Sequence, residues 1–147
     1  MTSDGISTAD WNIVQHLAEL VAAHTSEVVN VDASQTVHRL FAALDNLETK
    51  YGNLPSITAT RADYVESADE RARLLKQAYH EAQNIQDLAN LTFISSSLAE
   101  LYVEEKRQAS EAERWLIAFE SALINHWDEM EYNELKRLSS VFNSEYP

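Results

Sequence analysis

Residues 91–124 read LTFISSSLAELYVEEKRQASEAERWLIAFESALI. Apolar residues recur in this stretch at spacings of three and four, which is the period of an amphipathic α-helix. A polar break at 104–110 separates two such patterns. The stretch therefore predicts two successive helices. Their inward faces are formed by Leu91, Ile94, Leu98, Leu101 and Tyr102, and then by Trp115, Ala118, Phe119, Ala122 and Leu123.

A fainter copy of this pattern lies forty residues earlier in the chain. It aligns without a gap, because the two members of every pair differ by 40 in number. The aligned pairs are Leu54 with Ile94, Ala62 with Tyr102, Ala72 with Ala112, Leu75 with Trp115, Ala78 with Ala118, Tyr79 with Phe119 and Ala82 with Ala122. A repeat of this length made of two helices is typical of a stacked helical array.

The same periodicity, read with helix-capping residues, predicts an all-α fold over the whole chain. We expect seven helices at about 8–29, 33–51, 54–65, 68–85, 88–106, 111–126 and 129–143. The expected N-terminal caps are Ser67, Asp87, Ser110 and Asp128, and Gly52 suits a left-handed helix end. The first helix is expected to include Val28 or Val29, before a break at Asn30 and Asp32.

The connections between these helices are short, so consecutive helices should be antiparallel. The sequence thus predicts three stacked hairpins and a C-terminal capping helix. That last helix has a narrow apolar stripe at Met130, Leu135, Leu138 and Phe142. Without a long linker or low-complexity run, residues 1–147 are expected to form one domain, with the polar residues 1–7 loose.

The composition of the chain excludes several kinds of chemistry. Hydrophobic residues make up 45% of the 147 residues, which is enough to bury a core without metals or disulfides. The absence of cysteine excludes disulfides, zinc thiolates and cysteine nucleophiles. Two glycines cannot form a glycine-rich phosphate loop.

The charge of the chain is strongly negative, with 24 acidic residues against 11 basic ones and a net charge of -13. Such a surface repels nucleic-acid phosphates and anionic membranes, so neither is an expected partner. It would attract a basic protein, although the charge could serve solubility alone. The start MTSDGISTADW shows no secretory signal, and no stretch approaches the roughly 20 apolar residues of a membrane span. We therefore expect a cytoplasmic protein.

The two-helix unit resembles the tetratricopeptide repeat family. The residues that carry the resemblance are Ala99, Tyr102, Trp115, Phe119, Ala122 and Leu123, with Ala59, Ala62, Leu75, Tyr79 and Ala82 in the earlier copy. A third, diverged copy contains Ala18, Val21, Phe41 and Leu44. The resemblance implies a right-handed stack of hairpins.

The sequence also departs from that family's pattern. Its period is 40 residues instead of about 34, and the extra length falls between Tyr102 and Trp115. Alanine replaces the glycine often found at the helix crossing, and the proline expected after the second helix is absent. An ordinary helical bundle is the alternative reading.

The resemblance further implies a concave groove, lined by the first helix of each hairpin, that binds peptides or protein segments. The residues expected to face this groove are Thr60, Asp63, Tyr64, Phe93, Ser96, Glu100 and Glu104. In this interpretation Asp63, Glu100 and Glu104 contact basic residues of a partner, and Tyr64 acts as an anchor. The alternative is that these carboxylates form an ordinary solvated face.

No catalytic motif is found, so we expect neither an enzyme nor a bound cofactor or metal. The His-x-x-Glu pairs, such as His16 with Glu19, have the reverse order of the di-iron motif. Ser95–Ser97 lacks the glycine context of a nucleophile elbow.

The expected function is non-catalytic binding of one basic protein partner. A small acidic protein of this kind could neutralise or chaperone its partner, and an immunity-protein-like inhibitor of a toxin is the most specific version. The alternative is a self-associating scaffold or homodimer, favoured if Trp127, Tyr132 and Phe142 are exposed at one end of the stack. A metal-dependent helical-bundle enzyme is the third possibility.

Overall fold

A computed structural model describes residues 1–26 and 33–147, and every regular element in those ranges is a helix. The elements are α1 (Thr8–Ser26), α2 (Ala33–Tyr51), α3 (Pro55–Asp63), α4 (Ala68–Asn84), α5 (Leu88–Glu100), a π turn (Leu101–Glu105) that continues α5, α6 (Ala109–Asn125) and α7 (Glu129–Glu145). The predicted all-α class with seven helices is confirmed. The expected end of the first helix at Val28 or Val29, and the break at Asn30 and Asp32, lie outside the described residues. Within those ranges, no helix is both long and apolar enough to cross a membrane.

Three of the four predicted N-terminal caps are confirmed. Ser67, Asp87 and Asp128 each accept a hydrogen bond from the backbone N–H three residues later, at 3.2, 3.1 and 3.0 Å. The prediction for Ser110 is wrong, because α6 begins at Ala109 and no side chain caps it. Arg107 has a left-handed backbone with φ of 53° and turns the chain directly after the π turn. The helix therefore restarts before Ser110 is reached.

The helices pack as hairpins that follow one another in a row. α1 contacts α2, α3 contacts α4, and α5 contacts α6. The second helix of each hairpin also contacts the helix that follows it. In addition, α5 contacts both α3 and α7. This arrangement places α3, α5 and α7 side by side. The more specific tetratricopeptide-like class stays a prediction.

The interior consists of two hydrophobic clusters. The larger cluster joins α3 to α7 and contains Leu98, Tyr102, Trp115 and Phe119, all at most 5% exposed. The Tyr79 ring meets Trp115 edge-on at 5.0 Å between centroids. The predicted packing role of residues 91–124 is thus confirmed. The smaller cluster joins the N-terminal segment, α1 and α2 to one side of α3.

The N-terminal residues 1–7, predicted to be loose, make specific contacts. Ile6 is fully buried in the smaller cluster. Asp4 Oδ2 accepts a hydrogen bond from the backbone N–H of Ser56 at 2.8 Å, and so caps the start of α3. The Ser3 hydroxyl donates to Asp87 Oδ2 at 3.0 Å, at the start of α5. Short polar residues, which in sequence are typical of a loop, here bond to the starts of two distant helices: Asp4 satisfies a free N–H group of α3, and Ser3 donates to the residue that caps α5.

Candidate functional site

Two adjoining cavities run between α3 and α5, and we call them together the groove. The larger has a volume of about 430 Å³ and the smaller of about 210 Å³. Asp63, Leu75 and Ser97 line both, so the cavities share a wall. The groove therefore extends along the row formed by the first helices of successive hairpins.

The acidic side of the groove follows from helix geometry. Phe93, Ser97, Glu100 and Glu104 recur at spacings of four, three and four, which places them on one side of α5 and the turn that continues it. Side chains on the opposite side of α5, such as Leu98, are buried in the larger cluster. Packing of one side thus turns the other side towards α3 and solvent.

Two of the carboxylates at the groove are already paired with arginines. Arg137 Nη2 lies 2.6 Å from Glu104 Oε1 and also 2.6 Å from Glu134 Oε1. Arg71 Nη1 lies 2.6 Å from Glu105 Oε2. These ion pairs connect the π turn to α7 on one side and to α4 on the other.

Asp63 and Glu100, in contrast, form no ion pair within the part of the chain that the structure describes. Burial is the main cause that raises the pKa of the Asp63 carboxyl, and the positive charge of Arg71 only partly offsets it. Asp63 remains open to solvent at the mouth of the cavity, but the surrounding walls remove part of its hydration. Burial also raises the pKa of Glu100, the negative charges of Glu134 and Glu104 add to the rise, and the positive charge of Arg137 partly offsets it.

Glu100, Glu104 and Glu134 bring carboxylate oxygens within 4.8 Å of one another. Such a set of oxygen donors could in principle hold a cation. Arg137 already donates to two of the three carboxylates. The guanidinium therefore neutralises Glu104 and Glu134, which form an ion-pair network between the π turn and α7, and Glu100 lies beside this network without an ion pair of its own.

The π turn also sets the shape of the groove. The backbone N–H of Lys106 donates to the Leu101 carbonyl oxygen at 2.8 Å, five residues back, where an α-helix would bond four back. This wider turn carries both Glu104 and Glu105. It overlaps the start of the interval between Tyr102 and Trp115, where the sequence shows length beyond the usual repeat.

Five of the seven residues predicted to face the groove line it. Thr60, Asp63 and Phe93 lie at the smaller cavity, and Asp63, Glu100 and Glu104 at the larger. The side chain of Phe93 is 55% exposed.

Tyr64 and Ser96 lie elsewhere. Tyr64 packs partly buried against the smaller hydrophobic cluster, because it follows the end of α3 at Asp63. Ser96 is only 8% exposed. A hydrogen bond between the Ser96 hydroxyl and the Glu131 carboxyl on α7 lowers the pKa of Glu131, against the rise that burial causes. The Ser96 side chain therefore faces α7 instead of the groove.

Several residues that line the groove are not among those predicted from the sequence, and Trp11, Arg71 and Glu105 are three of them. Trp11 opens a run of apolar residues on α1, with Val14, Leu17, Ala18 and Val21, whose helical spacing predicts only that it packs inward. Arg71 meets Glu105 across 34 positions of the chain, which no local pattern reveals. The only available signal was the scarcity of basic residues, which makes each one a candidate partner for several carboxylates.

Comparison with known proteins adds no relative: no protein family matches the chain, and no curated protein or solved structure matches it.

Proposed function

We propose that this protein is a non-catalytic binding module whose groove receives a basic segment of one protein partner. The observation that carries the proposal is the pair Asp63 and Glu100. Both carboxyls line the larger cavity, both have a raised pKa, and neither has an ion-pair partner in the described chain. A guanidinium or ammonium group placed between them would favour their charged forms and offset the cost of their lost hydration.

The neighbouring cavity supports a second, apolar contact. Trp11 and the exposed ring of Phe93 line it together with Ala59 and Ile94. Aromatic side chains that are free at a concave surface are frequent anchors in protein interfaces. A segment that carries a basic side chain next to an apolar one would fill both cavities of the groove.

The overall charge fits the same partner. A net charge of -13 attracts a basic protein over several ångströms before contact and so speeds association. A small acidic protein of this kind can neutralise or chaperone its partner. An immunity-type inhibitor that covers the basic surface of a toxin is the most specific form of the proposal.

The serine hydroxyls of α5 support a non-catalytic role. Ser95 Oγ donates to the Leu91 carbonyl oxygen at 2.6 Å, and Ser97 Oγ donates to the Phe93 carbonyl oxygen at 3.1 Å. Both hydroxyls are therefore bonded to their own helix, as serines in packed helices commonly are. This use of the hydroxyls favours a binding surface over a nucleophilic site.

The test uses defined peptides as probes. A 12-residue peptide that alternates arginine and leucine should bind, measured by fluorescence anisotropy, and a glutamate–leucine peptide of equal length should not. The variant Asp63→Lys/Glu100→Lys should weaken binding of the basic peptide at least about tenfold, because each reversal places a like charge in the cavity.

The matched control is Glu66→Lys/Glu129→Lys, which changes the net charge equally at two exposed positions outside the groove. We expect this control to bind within about twofold of the parent protein. An equal loss of affinity in the two double variants would show that binding of the peptide depends only on net charge, and would refute the groove as the site.

A further inference from the structure

A second surface of the molecule lies on the outer side of α6 and α7, and we call it the end face. Along α6 it carries Glu113, Ile117, Glu120 and Ile124, whose spacings of four, three and four place them in one stripe. Ile117 is 58% exposed and Ile124 is 80% exposed. Two large aliphatic side chains that are so strongly exposed on one side of a helix form an unusual patch for the surface of an acidic protein.

The α7 side of the end face continues this patch. Trp127 is 63% exposed, and its ring lies 4.8 Å from the ring of Tyr132. Lys136 Nζ lies 4.9 Å above the Tyr132 ring. Lys136 also lines a shallow cavity of about 600 Å³ between α6 and α7, together with Ile117 and Glu120. The stripe on α6 and the aromatic pair next to α7 are therefore parts of one surface.

The charges on the end face determine which occupant fits it. The groove presents acidic groups with two arginines already paired, so it fits a basic segment. The end face instead carries both signs, with Glu113 and Glu120 on α6 and Lys136 on α7, and these three groups form no ion pair within the described residues. A surface with acidic groups along α6 and a basic group across the cavity on α7 is complementary to itself under a two-fold rotation that places α6 of one copy against α7 of the other.

We propose that the end face binds the end face of a second copy of this chain and forms a symmetric dimer. In that dimer the isoleucine stripes and Trp127 of the two copies lose contact with water. Lys136 of each copy lies opposite the Glu113 and Glu120 stripe of the other copy. The groove lies between α3 and α5 and stays open in both copies, so this inference does not depend on the function proposed for the groove.

The first experiment measures the oligomeric state of the full chain by sedimentation velocity, from about 1 to 200 μM protein in 0.15 M NaCl. We expect a reversible dimer. Ile124→Lys should raise the dimer dissociation constant at least about tenfold, because it places a charge in the buried stripe. Its high exposure means that the monomer fold should persist, which circular dichroism will check.

Met130→Lys is the matched control. The prediction that Met130 belongs to the apolar stripe of the last helix is wrong, because its side chain is 82% exposed. It lies on the side of α7 that carries Glu134 and Arg137, four and seven residues later. This variant should dimerise like the parent protein. A parent protein that stays monomeric over the whole range, or equal effects of the two lysine substitutions, would overturn the proposal.

A charge exchange tests the two-fold arrangement directly. Lys136→Glu should weaken the dimer, and adding Glu113→Lys and Glu120→Lys to it should restore the association. The same two reversals placed at Glu19 and Glu66, two exposed positions outside α6 and α7, give an identical net charge and should not restore it. Equal restoration by both sets would show that only net repulsion had changed, and would refute the proposed pairing.

Discussion

The groove and the end face both carry glutamates on the exposed sides of packed helices, yet they present different chemistry. At the groove, neighbouring helices crowd four carboxylates together, and arginines reach only two of them. At the end face, two glutamates and one lysine border exposed isoleucine and tryptophan side chains. The comparison teaches that a net charge of -13 does not describe a binding surface. What a surface can bind depends on which of its charges are left unpaired and on what lies between them.

The largest expected effect is a loss of fold stability, which would weaken both surfaces together. Phe119 lies on α6, is fully buried, and packs in the cluster that holds α5, α6 and α7 together. Phe119→Ala should lower the free energy of unfolding by about 3–5 kcal/mol, measured by urea denaturation. Ile117→Ala, on the exposed side of the same helix, should cost less than about 1 kcal/mol. Similar losses for the two variants would contradict the assignment of inner and outer sides of α6.

An intermediate effect separates the two surfaces by their response to salt. Raising NaCl from 0.05 to 0.5 M should weaken binding of the arginine–leucine peptide to the groove about tenfold, because attraction between opposite charges is screened. The same change should strengthen dimerisation through the end face, since salt screens both the attraction of Lys136 to the facing glutamates and the larger repulsion between two chains of charge -13. Anisotropy and sedimentation on one protein preparation give both results. A shift of both constants in the same direction would remove the distinction between the surfaces.

The smallest expected effect concerns a group outside both surfaces. Both carboxylate oxygens of Glu81 on α4 are shielded from solvent, and neither has a hydrogen-bond partner among the residues that the structure describes. Burial raises the pKa of this carboxyl, and the nearby Thr58 and Gln77 side chains only partly offset it. The folded state therefore binds the proton more tightly than the unfolded state does. The stabilising contribution is present below the unfolded-state pKa and is lost as the pH rises through the folded-state pKa.

Glu81→Gln should consequently raise the free energy of unfolding by about 1 kcal/mol at pH 7, where the parent carries a buried charge. The gain should shrink as the pH falls through the folded-state pKa and should be lost below the unfolded-state pKa, because the parent carboxyl is then neutral in both states. Urea denaturation at pH 7 and near pH 3.5 measures both values, with exposed Glu66→Gln as the control. An equal gain at the two pH values would argue against ionisation as the cause. Binding at the groove and dimerisation should not change.

Much of the fold could be predicted because helix formation is governed by local spacing. The apolar period and the caps at Ser67, Asp87 and Asp128 place most helix ends within a few residues of their observed positions. The predictions were wrong where contacts or backbone turns outside the local apolar pattern decide how a segment is held or where a helix begins. Asp4 caps α3 from 52 positions away, and the left-handed Arg107 starts α6 ahead of the predicted cap.

The groove was predictable to a similar degree. Phe93, Glu100 and Glu104 could be assigned to one side of a helix from their spacing alone. The position of Ser96 could not be assigned, because it is set by the approach of α7. Tyr64 was misplaced because α3 ends one residue before it.

The sequence by itself determined the helices, their inward faces and the excess of negative charge, since each of these depends on residue type and on neighbours within one or two helical turns. Only the tertiary structure decided which carboxylates are neutralised. Arg137 meets Glu104 across 33 positions and Arg71 meets Glu105 across 34, while Asp63 and Glu100 lie in a cavity without such a partner. Burial and ion pairing depend on how the helices pack against each other, so the raised pKa of these two carboxyls arises only in the folded chain.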